Sequence, residues 1–302
     1  MKKILILTLF VIASCDINPK AQNPAAAAAK SKNQANFHFS NASNYLRNNQ
    51  YAKAAESFSK VLELDPERKE VYPQRALAYF YMGEYAKSGM DIEKAMQDSP
   101  DSAPLYSLRA KIFINMGNYG GAQQDLAKAL KLNPNDDTAH TAVAELFIRS
   151  KKYEKALSAL EKALKINPTD YSANLAAAKA YYALLDYDNA VKYFEKAAEF
   201  NPKNPEPHIY LGYCDFERSN YSSAAERFKK ALSFSKNFNA HLGLAASYFM
   251  SGEEQKAKIE LSEARALEPA LSLKGKELSE LEKKGYVYTE IQKETIAELL
   301  KM

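Results

Sequence analysis

Few side chains in this 302-residue chain have the types and spacing that chemistry needs. There are two cysteines, Cys15 and Cys214, and four histidines, His38, His140, His208 and His241. The chain contains no glycine-rich phosphate loop, no His-Glu-x-x-His zinc pair, no Gly-x-Ser-x-Gly elbow, no Cys-x-x-Cys and no EF-hand spacing. Two cysteines cannot build a disulfide scaffold or a four-cysteine zinc site. All four histidines fall at one register of a 34-residue repeat, a packing position near the start of a helix. Of these, only His208 and His241 sit in adjacent repeats, where a helix-packing distance of ~9 Å would separate them. A shared ion would still lack its third and fourth ligands. Cys214 occupies a register held elsewhere by Ala78, Ile112, Leu146 and Ala180, so it is expected as a buried inert thiol. Acidic residues are spread around solvated helix faces, and no pair stands out as acid and base. The expectation is a chain that is not an enzyme, with no metal and no cofactor. Lys and Arg number 41 against 37 Asp and Glu, a net +4 without a basic block, so no nucleic-acid partner is expected.

Cys15 has a different chemistry in prospect. Lys2 and Lys3 precede an apolar run over residues 4–13, and small residues follow before the cysteine. Ten residues make a helix of about 15 Å, half of what a bilayer core requires, so the run reads as a signal peptide and not a permanent span. Ile12-Ala13-Ser14-Cys15 resembles the lipobox of bacterial lipoproteins. That resemblance implies a diacylglyceryl thioether on Cys15, cleavage after Ser14 and acylation, for example by palmitate, of the new amino terminus. Several acyl chains hold a protein on a bilayer where one is marginal. The expected parts are a signal peptide over 1–14 and a lipidated, flexible tether over 15–34, with a short Ala-rich helix at 25–33 as the alternative.

The elements behind the tether follow from spacing. Prolines at 66, 100, 134, 168 and 202 are each 34 apart, and Pro269 stands one residue short of two further periods. Starting each unit 31 residues before its proline gives seven: 35–68, 69–102, 103–136, 137–170, 171–204, 205–237 and 238–271. Position 8 of each unit is small, from Ala42 through Gly212 to Ala245, and position 24 is large, from Phe58 to Leu261. Position 17 is tyrosine in six units, and position 11 is aromatic in six. Positions 4, 8 and 11 share one helix face, and positions 17, 20 and 24 share another, so each unit holds two amphipathic helices. Small residues let helix axes approach, large ones fill between units, and the proline ends the second helix.

The pattern resembles the tetratricopeptide repeat. The resemblance implies an all-α solenoid of seven helix-turn-helix repeats. Leu271, Leu278 and Leu281 mark a capping helix running to Lys284 in the 272–302 tail, and Gly285 suits its stop. Thr289 with Gln292 reads as a capping box opening one further helix that carries Ile291, Ile296, Leu299 and Leu300. Such arrays bind many unrelated partners, so the resemblance is nearly silent on which.

Two departures from the pattern carry information. Position 7 is Arg75 and Arg109 in units two and three, and the same two units alone carry Asp91 and Asp125 at position 23. These read as structural ion pairs between the two helices of a unit, a geometry that suits arginine. Positions 5, 9 and 12 form a face rotated about 100° from the packing face, which by resemblance lines the concave surface. That face is mixed in units two to four. It turns apolar in units five to seven: Leu175 and Tyr182, then Ile209, Tyr213 and Phe216, then Leu242 and Phe249. These seven are the candidate groove for a partner peptide or helix, with the chain's own last helix as a competitor for it. The expected function is a membrane-anchored protein-interaction scaffold of the bacterial cell envelope, on the exported side of either membrane, whose partner is an envelope protein. The alternative is an accessory lipoprotein of a solute transport system that holds a binding protein or a hydrophobic solute.

Overall fold

The computed structural model describes residues 24–272, 277–283 and 288–301. The expected signal peptide, Cys15, Lys284 and Gly285 lie outside them. Among the described residues there are sixteen α-helices and no strand. They fall in two compact units, residues 1–99 and 100–302.

The first unit contains α1 (Pro24–Arg47), α2 (Tyr51–Leu64), α3 (Val71–Tyr81) and α4 (Tyr85–Asp98). α1 begins eleven residues before the first repeat, so residues 24–34 of the expected tether are helical. The physical reason is Pro24 at the first helical position followed by five alanines, the residue with the highest helix propensity. The extension is tied down by Ser31 Oγ, which donates to the Leu64 carbonyl at 2.8 Å, and by the buried Ala35.

The second unit contains α5 (Ala103–Asn115), α6 (Tyr119–Leu132), α7 (Asp137–Arg149), α8 (Tyr153–Ile166), α9 (Tyr171–Ala183), α10 (Tyr187–Phe200), α11 (Pro205–Glu217), α12 (Tyr221–Leu232), α13 (Phe238–Met250) and α14 (Glu254–Leu267). Two short helices follow, α15 (Glu277–Lys283) and α16 (Glu290–Leu299). The single capping helix expected from Leu271 to Lys284 is instead a 3-10 turn, Pro269–Ser272, and the seven-residue α15. Pro269 has no amide to donate, so the backbone leaves α14 in a tighter turn before helix resumes.

Each helix pair closes around the same registers. The large residue at position 24, from Phe58 to Leu261, is buried in all seven repeats, beside the small residues at positions 8 and 20. Phe228 shows why position 8 is small: a Cβ on Gly212 would come within 2.8 Å of its ring, and the ring also holds position 6 of the next repeat to glycine, since a Cβ on Gly243 would come within 2.4 Å. The aromatic residues at position 11 are less enclosed than the packing argument suggests, and only Tyr248 is buried among them. Position 15 carries a signal that the pattern hides. Asn49, Gly83, Gly117, Lys151, Leu185, Ser219 and Gly252 all take a positive φ, between 54° and 76°. This left-handed residue turns the first helix of each repeat into the second, and glycine supplies it in only three.

Candidate functional site

α13 has the sequence FNAHLGLAASYFM, and every residue from Ala240 to Tyr248 is buried. A helix buried all round needs a cover on the side facing away from its own repeat. That cover is α16. Ile296 and Leu299 are buried in one apolar cluster with residues of α11 and α13, and α9 is reached through Tyr182. The void left between Tyr213, Phe216, Leu242, Tyr288 and Ile296 is about 10 Å³, room for one water at most.

Of the seven candidate groove residues, Ile209, Tyr213, Phe216, Leu242 and Phe249 share the apolar cluster of α16, Tyr182 accepts a hydrogen bond from it, and Leu175 packs instead in the neighbouring cluster with Phe194 and Leu211. Ile209, Phe216 and Leu242 are buried, while Leu175, Tyr182, Tyr213 and Phe249 are half-buried. Tyr213 packs its ring edge on Phe228 at 5.3 Å, and Tyr182 sits edge-on to Tyr210 at 5.6 Å. Lys179, on the same face, pairs with Glu206 at 2.5 Å.

Polar contacts fix how α16 lies. Its capping box is complete: the Gln292 amide N–H donates to Thr289 Oγ1 at 3.2 Å, and the Thr289 amide N–H to Gln292 Oε1 at 3.1 Å. Both partners then reach across to the repeats. Gln292 Nε2 donates to the Tyr182 hydroxyl at 2.9 Å, and the Thr289 hydroxyl donates to a Glu217 carboxylate oxygen. The Tyr187 hydroxyl approaches the other Glu217 oxygen at 3.5 Å. Burial raises the Glu217 carboxyl above its ordinary value, and the hydrogen bonds from Thr289 and Tyr187 offset part of that. Burial also pushes the Tyr182 phenol up, and that of Tyr187 up to about 12. α16 is joined to α15 through Lys293 Nζ, 3.0 Å from Glu282.

Sequence reasoning did not find Glu217 or Tyr187. The available signal was position 13, where Glu217 is the one acidic residue in seven repeats, directly after the groove residue Phe216.

The same face in α5 and α7 is built differently. Ser107, at position 5, is buried and donates to Asp136 Oδ2 at 2.8 Å, while Asp136 Oδ1 caps α7 by accepting from the Ala139 amide at 2.9 Å. Lys111, Glu145 and Ile148 are half-buried, and Ile114 is buried.

Arg75 and Asp91 meet through two parallel bonds, Nε to Oδ2 at 2.7 Å and the terminal nitrogen to Oδ1 at 2.8 Å. Arg109 and Asp125 repeat that geometry at the same distances. Both aspartates are buried, so each bridge is a charge-assisted fork closing its own helix pair. Unit seven has a counterpart that sequence reasoning missed, with His241 Nδ1 2.7 Å from Glu260 Oε2. His140 reaches the Pro134 carbonyl at 3.0 Å, and His208 stacks on Phe234 at 5.6 Å. Among the described residues no three His, Cys, Asp or Glu side chains gather as metal ligands, and no helix is long and apolar enough to cross a membrane. Cys214 is a free, buried thiol that burial pushes up to about 12.

A tetratricopeptide-repeat family model matches residues 74–237, more than half of the chain, and a second matches residues 35–68. The chain belongs to the tetratricopeptide-repeat family, whose arrays are protein-interaction scaffolds. No curated protein matches the sequence. Similar solved structures include PilF of Pseudomonas aeruginosa, at 18% identity and a TM-score of 0.60 over 72% of this chain and 98% of that one. PilW, a widely conserved type IV pilus biogenesis factor, is similar at 20% identity and a TM-score of 0.60, covering 71% and 98%. A human IFIT1 dimer with m7Gppp-AAAA is similar at 22% identity and a TM-score of 0.65, over 78% of this chain and 60% of that one. At these identities the likeness is one of fold.

Proposed function

We propose that the protein is a membrane-tethered interaction scaffold of the bacterial cell envelope, lipidated at Cys15 on the exported side of a membrane, which works by equilibrium binding and not by turnover. The observation that carries the binding mode is the helix seated on α9, α11 and α13: this face accepts an amphipathic helix through apolar anchors and a polar end. The ordered run of Lys2, Lys3, an apolar stretch, small residues and Cys15 supports the anchor. Similarity in fold to PilF and to the pilus biogenesis factor PilW is consistent with an envelope protein as partner. With α16 seated the void beside Tyr213 is about 10 Å³, so a ligand of this face must replace a helix, which supports a polypeptide ligand over the solute-carrying alternative. The scattered charge of a net +4 supports a protein partner over nucleic acid.

The test is fractionation and crosslinking from native membranes with wild-type protein and Cys15→Ala. Palmitate labelling and membrane retention are expected in the wild type and lost in the variant, with one reproducible crosslinked protein in the wild type. Equal membrane retention by the variant would overturn the anchor, and absence of any reproducible protein partner would overturn the scaffold.

A further inference from the structure

The last contact of α16 is not apolar. At one end of a face made of leucine, isoleucine and aromatic rings, the structure places a half-buried carboxylate, Glu217, directly against the N-cap of the seated helix. A helix N-terminus carries a partial positive charge and unpaired amides, which favours an anion nearby. Here the cap residue has already satisfied one of those amides, since Thr289 Oγ1 accepts from the Gln292 amide. What Glu217 receives is the hydroxyl proton of Thr289. A serine or threonine cap can accept from its helix and donate to Glu217 at once, whereas an aspartate cap can only accept. The side chain of Gln292 is divided in the same way, its oxygen on the Thr289 amide and its nitrogen on Tyr182. Threonine at the cap and glutamine three residues on are therefore the pair that satisfies Glu217 and Tyr182 together.

We propose that Glu217, with Tyr182 and Tyr187, is a cap-reading site that decides which helix can lie on the face of α9, α11 and α13: one that opens on a neutral hydroxyl residue, with glutamine three positions later and apolar residues where Ile296 and Leu299 stand. Residues 288–300 of the chain are its resident occupant. The inference rests on the reading of this face as a helix-docking surface, and a partner helix that takes the place of the resident needs the same pattern.

The discriminating variant is Thr289→Asp. As an isolated helix cap, aspartate is at least as good as threonine, so a cap that nothing reads leaves α16 equally or better protected. A cap read by Glu217 instead meets a like charge. In the full-length protein at a mildly alkaline pH, amide hydrogen exchange of residues 290–299 is expected to speed up about tenfold or more in Thr289→Asp, an effect of the size that one lost charge-assisted bond gives. It is expected to stay within about twofold in Thr289→Ser, and to return toward wild type in the double variant Thr289→Asp with Glu217→Gln. Exchange in α5 to α8 reports that the repeats remain folded. Unchanged or slower exchange in Thr289→Asp, or acceleration that Glu217→Gln does not reverse, overturns the cap-reading site.

A second arm separates this from the docking surface itself. Full-length Ile296→Asp, whose own helix is disfavoured on the face, is titrated with a synthetic peptide of residues 288–301 and with the same peptide carrying Asp at the cap. Binding of the first and about tenfold weaker binding of the second support the proposal. Equal binding of both overturns cap reading while leaving the docking surface. Binding of neither overturns the surface as a site for helices supplied by another molecule.

Discussion

Repeats three and four present the same helix positions as repeats five to seven, and the two regions use them for opposite ends. In α5 and α7 these positions hold Ser107, Lys111, Thr141 and Glu145, and the buried ones are spent locally: Ser107 on the Asp136 cap, Thr141 on its own helix through the Asp137 carbonyl. In α9, α11 and α13 the equivalent positions are mostly apolar, and a separate segment, α16, packs on those of α11 and α13 and reaches α9 through Tyr182. The difference shows that an apolar stripe on the inner face is not by itself an open groove. It also shows where the two regions get their strength. The α5–α6 pair is closed by the buried Arg109–Asp125 fork, whereas α13, beside its His241–Glu260 contact, is buried along its whole middle, with the Phe228 ring lodged between Gly212 and Gly243.

The largest effect should come from breaking the fork. Asp125→Ala leaves the Arg109 guanidinium half-buried opposite an apolar methyl, and removing one partner of a buried pair costs about 3–5 kcal/mol. Urea unfolding followed by hydrogen exchange should show the loss centred on α5 and α6, with α13 and α14 retained. Uniform loss across the repeats, or no loss, would mean that the two regions are not held in different ways. Gly243→Ala probes the covered region and is expected to cost less. Helix propensity alone would make it stabilising by about 1 kcal/mol, while overpacking costs about 1–3 kcal/mol. The new Cβ would stand 2.4 Å from a fully buried ring, and the void beside them, about 10 Å³, is too small to take the shift that a normal contact requires, so the sum falls on the destabilising side. A higher melting temperature in this variant would show that Phe228 relaxes and that the covered region is looser than its burial implies.

Much of this was legible in the sequence because it is periodic. Proline spacing, small residues at positions 8 and 20 and large ones at 24 place all fourteen repeat helices, since each register meets the same neighbours in every unit. The Thr289–Gln292 capping box was legible because it is local, and the Arg–Asp pairs because they come and go together. What was not legible is aperiodic or distant. Helix in residues 24–34 depended on whether an alanine run would propagate or stay loose. Seven left-handed residues at position 15 were hidden behind four side chains that do not advertise a positive φ. Glu217 is separated from Thr289 by 72 residues, and nothing in the repeat register says that position 13 of the sixth unit would meet the tail.

Glu217 also offers the finest test of the comparison, because it belongs only to the covered region. Burial raises its carboxyl, so the folded protein keeps a proton that the unfolded chain releases at the ordinary glutamate value of about 4.3. From that value up to the raised one, folding takes up a proton, and stability falls as pH rises. Below this window Glu217 is neutral in both states, and above it the cost is constant. Its neighbours do not titrate there: Thr289 and Gln292 are neutral, burial pushes Tyr187 and Cys214 up to about 12, and it raises Tyr182 as well. Glu217→Gln removes the charge while keeping the shape. The melting temperature of the wild type relative to this variant should therefore decline with increasing pH from about 4.3 upward. The decline should be absent when Ile296→Asp is present in both, since releasing α16 returns the carboxylate to water. A difference that is flat with pH, or one that survives the release of α16, would mean that the burial of Glu217 does not come from the tail. The covered and open faces would then differ in side chains but not in electrostatics.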